Sequence, residues 1–230
     1  NMFTSQGCSK TSLHAAFTAM VGASNGVNGS SYENLRNLDS HALSITDHLK
    51  KLGYTTFRYC DKSHPLCTAT PKSGFDIWEH SGFHELRDTP EYSFNVPARQ
   101  EFIRKFNDTD GPKFAFIHLL LLHDLAGDAG GYIWTSEMYE SFIDKQGEDA
   151  LALLDALNLD SNDLLIISTD HGVTLDCNRL EDTRTNGVML DDAQMRVFCS
   201  IIHQDIPSQK HDEVVHTIDT APTTLNLISN

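Results

Sequence analysis

Between Ser9 and Val21, Leu13, Ala16, Phe17, Met20 and Val21 stand at i, i+3, i+4, i+7 and i+8, behind a cluster of Ser and Thr residues. This spacing predicts an amphipathic helix with hydroxyl caps at its N-terminus. The segment Ser40 to Leu52 repeats the pattern with Ala42, Ile45, Leu49 and Leu52 on one face, and Gly53 ends it. A strand is expected next, in Tyr54-Thr-Thr-Phe-Arg-Tyr59. The stretch Cys60 to Val96 is punctuated by Pro and Gly, and Phe102, Ile103 and Phe106 then mark a short helix. Phe114 to Leu122 is continuously rather than alternately apolar. That is the pattern of a parallel strand covered on both faces. A helix from about Glu137 to Leu157, a turn at Asp160-Ser-Asn-Asp163 and the strand Leu164-Leu-Ile-Ile-Ser168 follow, with a last strand over Arg196 to Ile202. Helices alternating with strands, no internal repeat and no linker point to one α/β domain over residues 1–230, its sheet mostly parallel.

Charge narrows the partners. Lys and Arg number 17 against 32 Asp and Glu, a formal charge of −15, and the basic residues are scattered apart from the pair Lys50-Lys51. Nucleic-acid binders cluster their cations to displace counterions from phosphates, so no nucleic-acid partner is expected. A small anion in a local pocket is compatible with the count. The stretch Phe114 to Leu122 is too short, and interrupted by His118, for a bilayer span, which needs about 20 apolar residues. No membrane span is expected within this chain. Asn1 follows no Met, basic stretch or apolar leader, so the chain is read as a fragment of a longer one.

None of the five cysteines forms a CxxC pair or a zinc spacing. Cys60 and Cys67 bracket a Pro-containing loop and are compatible with either a small disulfide or two thiols; Cys177 and Cys199 are a weaker second pair.

Ligands in open α/β sheets gather beyond the carboxyl ends of strands. Two strands here end in chemistry. Leu164-Leu-Ile-Ile-Ser-Thr-Asp-His-Gly172 delivers adjacent Asp170 and His171, with Gly172 allowing a sharp turn. Phe114 to Asp124 ends in His123, whereas His118 lies within the strand and is expected to pack or hydrogen-bond in the core. A third cluster, Cys8-Ser9-Lys10-Thr11-Ser12, opens the first helix, where unpaired N–H groups favour an anion. An alcohol needs a base or metal to become nucleophilic, and Asp170 with His171 offers oxygen and nitrogen ligands. Glu148 and Asp149 read as surface charge on the long helix.

With these residues in hand, the chain resembles the sulfatase branch of the alkaline-phosphatase superfamily, nearly end to end. Ile166-Ile-Ser-Thr-Asp-His-Gly172 resembles that family's cation-binding strand end, and Lys113 to His123 its strand ending in a substrate-contacting His. His216-Thr-Ile-Asp-Thr-Ala-Pro-Thr-Thr-Leu225 and Gly187 to Val197 are similar to two further family segments. The family's Cys-x-Pro-Ser-Arg is absent. The family's Thr or Ser nine residues after the nucleophile, and Gly seventeen after it, match Thr18 and Gly26 when counted from Ser9. Ser9 therefore ranks first as nucleophile, Cys8 second and Thr11 third; the segment is also similar to phosphoethanolamine transferases.

The resemblance implies an alkaline-phosphatase-like sandwich with helices on both faces, apparently lacking its first strand. It implies metal-dependent hydrolysis or transfer of a small sulfate or phosphate ester through a covalent intermediate. Asp170, His171 and Ser9 would hold one divalent cation, with His123, Lys10 and Arg184 toward the substrate; Arg179 is the alternative to Arg184. No His occurs between His171 and His203, which favours calcium, magnesium or manganese over two zinc ions. Family members carry an acidic ligand upstream of the nucleophile, and none precedes Asn1, so poor turnover by this stretch alone is expected. The resemblance further implies an extracellular, periplasmic or lumenal setting, in which Cys60 and Cys67 would be bonded. The competing expectation is an inactive sulfatase-like module that binds within a larger assembly, with other subunits or an N-terminal segment as partners.

Overall fold

The computed structural model describes residues 1–4, 9–27, 41–61, 74–80, 97–120, 136–172 and 192–229. Its centre is β2 (Thr55–Cys60), with five of six residues buried. β2 runs parallel to β3 (Ile77–His80) on one side and to β4 (Lys113–His118) on the other. Both faces of this sheet are covered, as the unbroken apolarity of β4 predicts. On one face Phe57, Tyr59 and Ile117 meet Phe102, Ile103 and Phe106 of α4 (Pro97–Asp108) and Leu153 of α5 (Ser136–Ala156). On the other, Phe114 and Phe116 meet Phe17 of α1 (Ser9–Thr18), Ile45 and Leu49 of α3 (Ile45–Lys51) and Leu225 of α6 (Thr220–Ile228). Edge-to-face rings, Phe17 on Phe116 and Phe57 on Phe106, tie each layer to the sheet.

Two smaller strand sets flank this sheet. β1 (Met2–Phe3) lies antiparallel to β6 (Arg196–Val197) and parallel to β8 (Val215–His216). β5 (Leu165–Ser168) lies antiparallel to β7 (Cys199–Ile202). Three of these five pairings are parallel. Among the described residues β4 pairs only with β2, and β5 only with β7.

Several elements differ from the sequence expectation, each for a local reason. The first helix stops at Thr18, because Ala19 takes a left-handed φ of 54°. The chain then restarts as the single turn α2 (Gly22–Asn25), whose Asn25 donates to the Met20 carbonyl at 3.0 Å. Met20 and Val21 therefore leave the helical stripe. α3 begins at Ile45 instead of Ser40, since Asp47 accepts both the N–H and the hydroxyl of Ser44 at 2.8 Å and fixes the cap there. The last expected strand divides at Phe198: its first half joins β1 and its second joins β5. β1, β3, β8 and α6 were not expected.

Asp149 is not surface charge. Its carboxylate receives two hydrogen bonds from Arg99, at 2.6 and 3.0 Å, and Arg99 also donates to Asp61 at 2.8 Å and to the Tyr59 hydroxyl at 3.3 Å. One cation thus sits between two carboxylates in the interior. Burial opposes the Arg99 charge, but hydrogen bonding to Asp149 and the nearness of Asp61 and Tyr59 outweigh it and raise its pKa. Glu148, one residue earlier, is exposed as expected. Cys199 is a free thiol, which removes the Cys177–Cys199 pair. Cys67 and Cys177 lie outside the described residues.

Candidate functional site

Three elements meet at the carboxyl end of β5. The strand stops at Ser168, and residues 169–172 are then held to the returning chain. The Thr169 N–H donates to the Phe198 carbonyl at 3.2 Å, and the Gly172 N–H to the Gln194 carbonyl at 2.8 Å. Gly172 is needed for closeness, not for a left-handed turn: a Cβ there would stand 1.9 Å from the Ala193 carbonyl oxygen. This clamp presents Asp170 and His171 to the start of α1.

Ser9, the first residue of α1, brings its Oγ to 3.1 Å from His171 Nε2. The other ring nitrogen, Nδ1, lies 2.8 Å from the Gly172 carbonyl oxygen. A carbonyl can only accept, so Nδ1 donates to it, and in the neutral ring Nε2 then turns its lone pair toward Ser9. Asp170 Oδ1 accepts the His171 N–H at 3.0 Å. Its Oδ2 is buried without a hydrogen-bond partner, 3.7 Å from His171 Nε2. Burial pushes the Asp170 carboxyl upward, yet the His171 and His118 rings, with the Ser9 hydroxyl and the His171 N–H, hold it below the usual carboxylate range. Two lone pairs, one oxygen and one nitrogen, therefore face each other beside a hydroxyl.

A hydroxyl relay fixes the helix to this turn. Ser12 donates to the Asp170 carbonyl at 2.5 Å, which spends its only proton. Thr4 must then donate to Ser12 across their 2.6 Å contact. Lys10 is only 6% exposed and so is not a solvated lysine; Thr11 is fully buried.

The structure thus brings Ser9, Asp170 and His171 together, with Lys10 and Thr11 on the same first helical turns. Cys8, His123, Arg179 and Arg184 lie outside the described residues. His118 is a residue the sequence reading underrated. It ends β4, its buried Nδ1 has no hydrogen-bond partner, and Asp170, Asp61, Arg58 and His171 all act on it electrostatically. Burial dominates and lowers its pKa, favouring the neutral ring. Its place as the last residue of a strand is the signal that could have found it. Among the described residues no group of three or more His, Cys, Asp or Glu side chains is arranged to hold a metal. Asp170 and His171 suit a cation in kind, oxygen plus nitrogen, and the unfilled Oδ2 valence fits one.

No family model and no curated protein matches the chain by sequence. In structure it is similar to a 2-O GAG sulfatase, with a TM-score of 0.68, 14% identity and coverage of 100% of this chain and 62% of that one. It is also similar to an alkaline-phosphatase-superfamily protein from Vibrio parahaemolyticus, with a TM-score of 0.62, 20% identity and coverage of 99% and 56%. Phosphonate monoester hydrolase of Agrobacterium radiobacter superposes with a TM-score of 0.65 and 14% identity over 99% and 66%. The chain spans about three-fifths of the length of the GAG sulfatase. At these identities the likeness defines the fold: the chain carries the alkaline-phosphatase-like architecture of these structures.

Proposed function

We propose that this domain hydrolyses or transfers a small sulfate or phosphate ester, with Ser9 as nucleophile and one divalent cation held by Asp170, His171 and Ser9. The observation that carries the reading is the convergence of Ser9 Oγ, His171 Nε2 and the unpartnered, buried Asp170 Oδ2. An imidazole that only relieved a serine of its proton would leave Oδ2 without a purpose, whereas a cation would fill both lone pairs. When bound, the cation supplies Lewis acidity that lowers the pKa of a nearby hydroxyl and offsets anionic charge. Two such side chains are too few for a hard cation, so the proposal needs a further oxygen ligand from outside the described residues. Calcium, magnesium or manganese suits an oxygen-rich site better than a zinc pair.

Ser9 sits where the N–H groups of α1 favour negative charge, so both its alkoxide and a transferred anionic group are stabilised there. Attack by Oγ forms an Oγ–S or Oγ–P bond and breaks the bond from that centre to the ester oxygen; the alcohol leaves with the proton that Ser9 gave up, and water then regenerates Ser9 or a second alcohol accepts the group. Lys10, His123 and Arg184 are proposed to contact the ester oxygens. The similar sulfatase and phosphonate monoester hydrolase support the ester class.

The test uses p-nitrophenyl sulfate and phosphate with each cation in turn and with EDTA. Slow turnover, in keeping with the ligand still wanting, that chelation abolishes and that Ser9→Ala removes, together with one sulfo or phospho group on the Ser9 peptide by mass spectrometry, is the expected result. Turnover that survives Ser9→Ala reassigns the nucleophile to Cys8 or Thr11. No turnover and no cation binding would favour the inactive binding module.

We also propose a secreted, periplasmic or lumenal setting and a Cys60–Cys67 disulfide. Cys60 ends β2 fully buried, seven positions before Cys67 in the sequence. Thiol titration under denaturing, non-reducing conditions would then count three free thiols of the five cysteines, and five would overturn the pairing.

A further inference from the structure

Asp61, the residue after β2, touches the candidate site's scaffold at three points. Its N–H donates to the His118 carbonyl at 3.2 Å. Its Oδ2 accepts the Leu120 N–H at 3.1 Å, and its Oδ1 is held by Arg99 at 2.8 Å. Arg99 is in turn locked by the bidentate Asp149 and by the Tyr59 hydroxyl. Asp61 and Arg99 are 3% and 2% exposed, so neither can meet solvent or a ligand directly.

His118 lacks an equivalent anchor of its own at Nδ1, which is buried without a hydrogen bond. The backbone that carries the ring therefore has a larger part in its direction, beside the ring of Phe116. Asp61 grips that backbone directly after the ring, at the His118 carbonyl and at the Leu120 N–H. Asp61 is fixed in turn by a cation that two carboxylates and a phenol hold in one orientation. An ion triad of this kind is a costly way to gain stability alone, because burying three charges offsets much of their attraction.

We infer that Asp61, braced by Arg99 and Asp149, is a positioning residue: it sets the carboxyl end of β4, and with it His118, against the Asp170–His171–Ser9 cluster. This rests on the reading of that cluster as the reactive site. Asp149 on α5 and Arg99 on α4 thereby link the helical layer on one face of the sheet to chemistry at the strand ends.

The test compares Asp61→Ala and Asp61→Asn with Leu49→Ala, a core truncation on the opposite face that loosens the fold without touching the triad. Three readouts are taken in the whole chain: amide exchange at Leu120, the His118 ring signals in NMR, and ester turnover with cation. In Asp61→Ala, exchange at Leu120 should rise about tenfold to a hundredfold beyond the average for core amides, and the His118 ring signals should move. With an active wild type, kcat should fall by about a hundredfold while KM changes little, as for a misplaced catalytic frame. Asp61→Asn, which keeps an oxygen for Leu120 but loses the charge that faces Arg99, should fall between and serves where Asp61→Ala does not fold. Leu49→Ala should raise exchange throughout and leave the kcat of folded molecules unchanged.

The inference is overturned when the Asp61 variants move Leu120 and His118 no more than Leu49→Ala does, or when they move both and kcat holds. A wild type without turnover under any cation defeats the ester reading instead, and exchange with the ring signals then decides the role of Asp61 by themselves.

Discussion

Two buried polar clusters lie at strand ends of this molecule, one around Arg99 and one around Asp170, and they differ in how their valences are filled. Arg99 donates through Nε, Nη1 and Nη2, and both of its carboxylate partners are engaged. Asp170 keeps one oxygen buried and empty, opposite an imidazole lone pair. A saturated cluster holds its surroundings in one arrangement, whereas an unsaturated one is ready to take a ligand. Stability and binding are thus assigned to different charges, so variants of the two clusters should behave oppositely.

The largest effect should come from Arg99→Met. It leaves Asp61 and Asp149 buried with no cation between them, which costs about 3–5 kcal/mol. The denaturant midpoint measures it, and a loss under about 1 kcal/mol would mean that the triad is not the brace described. Gly172→Ala comes next. Its Cβ would meet a backbone oxygen, so the chain itself must move, at about 1–3 kcal/mol. The same shift pulls Asp170 and His171 off Ser9, so cation binding should weaken along with stability. A smaller loss, about 1 kcal/mol, is expected from Ser12→Ala, which removes the donor to the Asp170 carbonyl and the acceptor for Thr4. A Ser12→Ala protein with unchanged stability and unchanged exchange at Thr4 would show that the relay does not hold α1 to the turn.

The halves of this contrast were not equally legible in the sequence. Asp170 and His171 announce themselves because an apolar run, Leu164 to Ile167, stops at two adjacent ionisable residues. Ser9 could be reached only by counting along the chain, since a hydroxyl at a helix start is usually a cap. The Arg99 triad gave no local signal. Its members come from positions 61, 99 and 149, and only the parallel packing of β2 with α4 and α5 makes them neighbours. Asp149 in particular looks like any acidic residue on a solvated helix. The α/β class and both sheet faces followed from periodicity, as did β2 and β4. The flanking strands did not, because β1, β6 and β8 are two residues each and carry no period. Gly172 was picked out as a turn residue, and its close approach to Ala193 adds a reason that the sequence does not show.

The sharpest way to break the contrast is the variant with the smallest expected effect on folding, Asp170→Asn. The amide keeps an oxygen for the His171 N–H and removes a charge on which burial and the neighbouring imidazoles act in opposite directions. Without cation, its stability should therefore stay within about 1 kcal/mol of wild type, far from the loss at Arg99. With cation the two proteins should part. A ligand that binds only the folded state stabilises by an amount set by its concentration over its Kd, about 2.7 kcal/mol at a hundredfold excess. Calcium, magnesium or manganese should accordingly raise the melting temperature of wild type and leave that of Asp170→Asn where it was, since the variant has lost the anionic oxygen that faces His171. Calorimetric titration of the same cations into both proteins gives the check without any assay of turnover. Should Asp170→Asn unfold as readily as Arg99→Met, Asp170 is a structural charge and the empty valence is no ligand position. Should it bind cations as wild type does, the metal lies elsewhere and Ser9 with His171 must be read as a hydroxyl–imidazole pair alone.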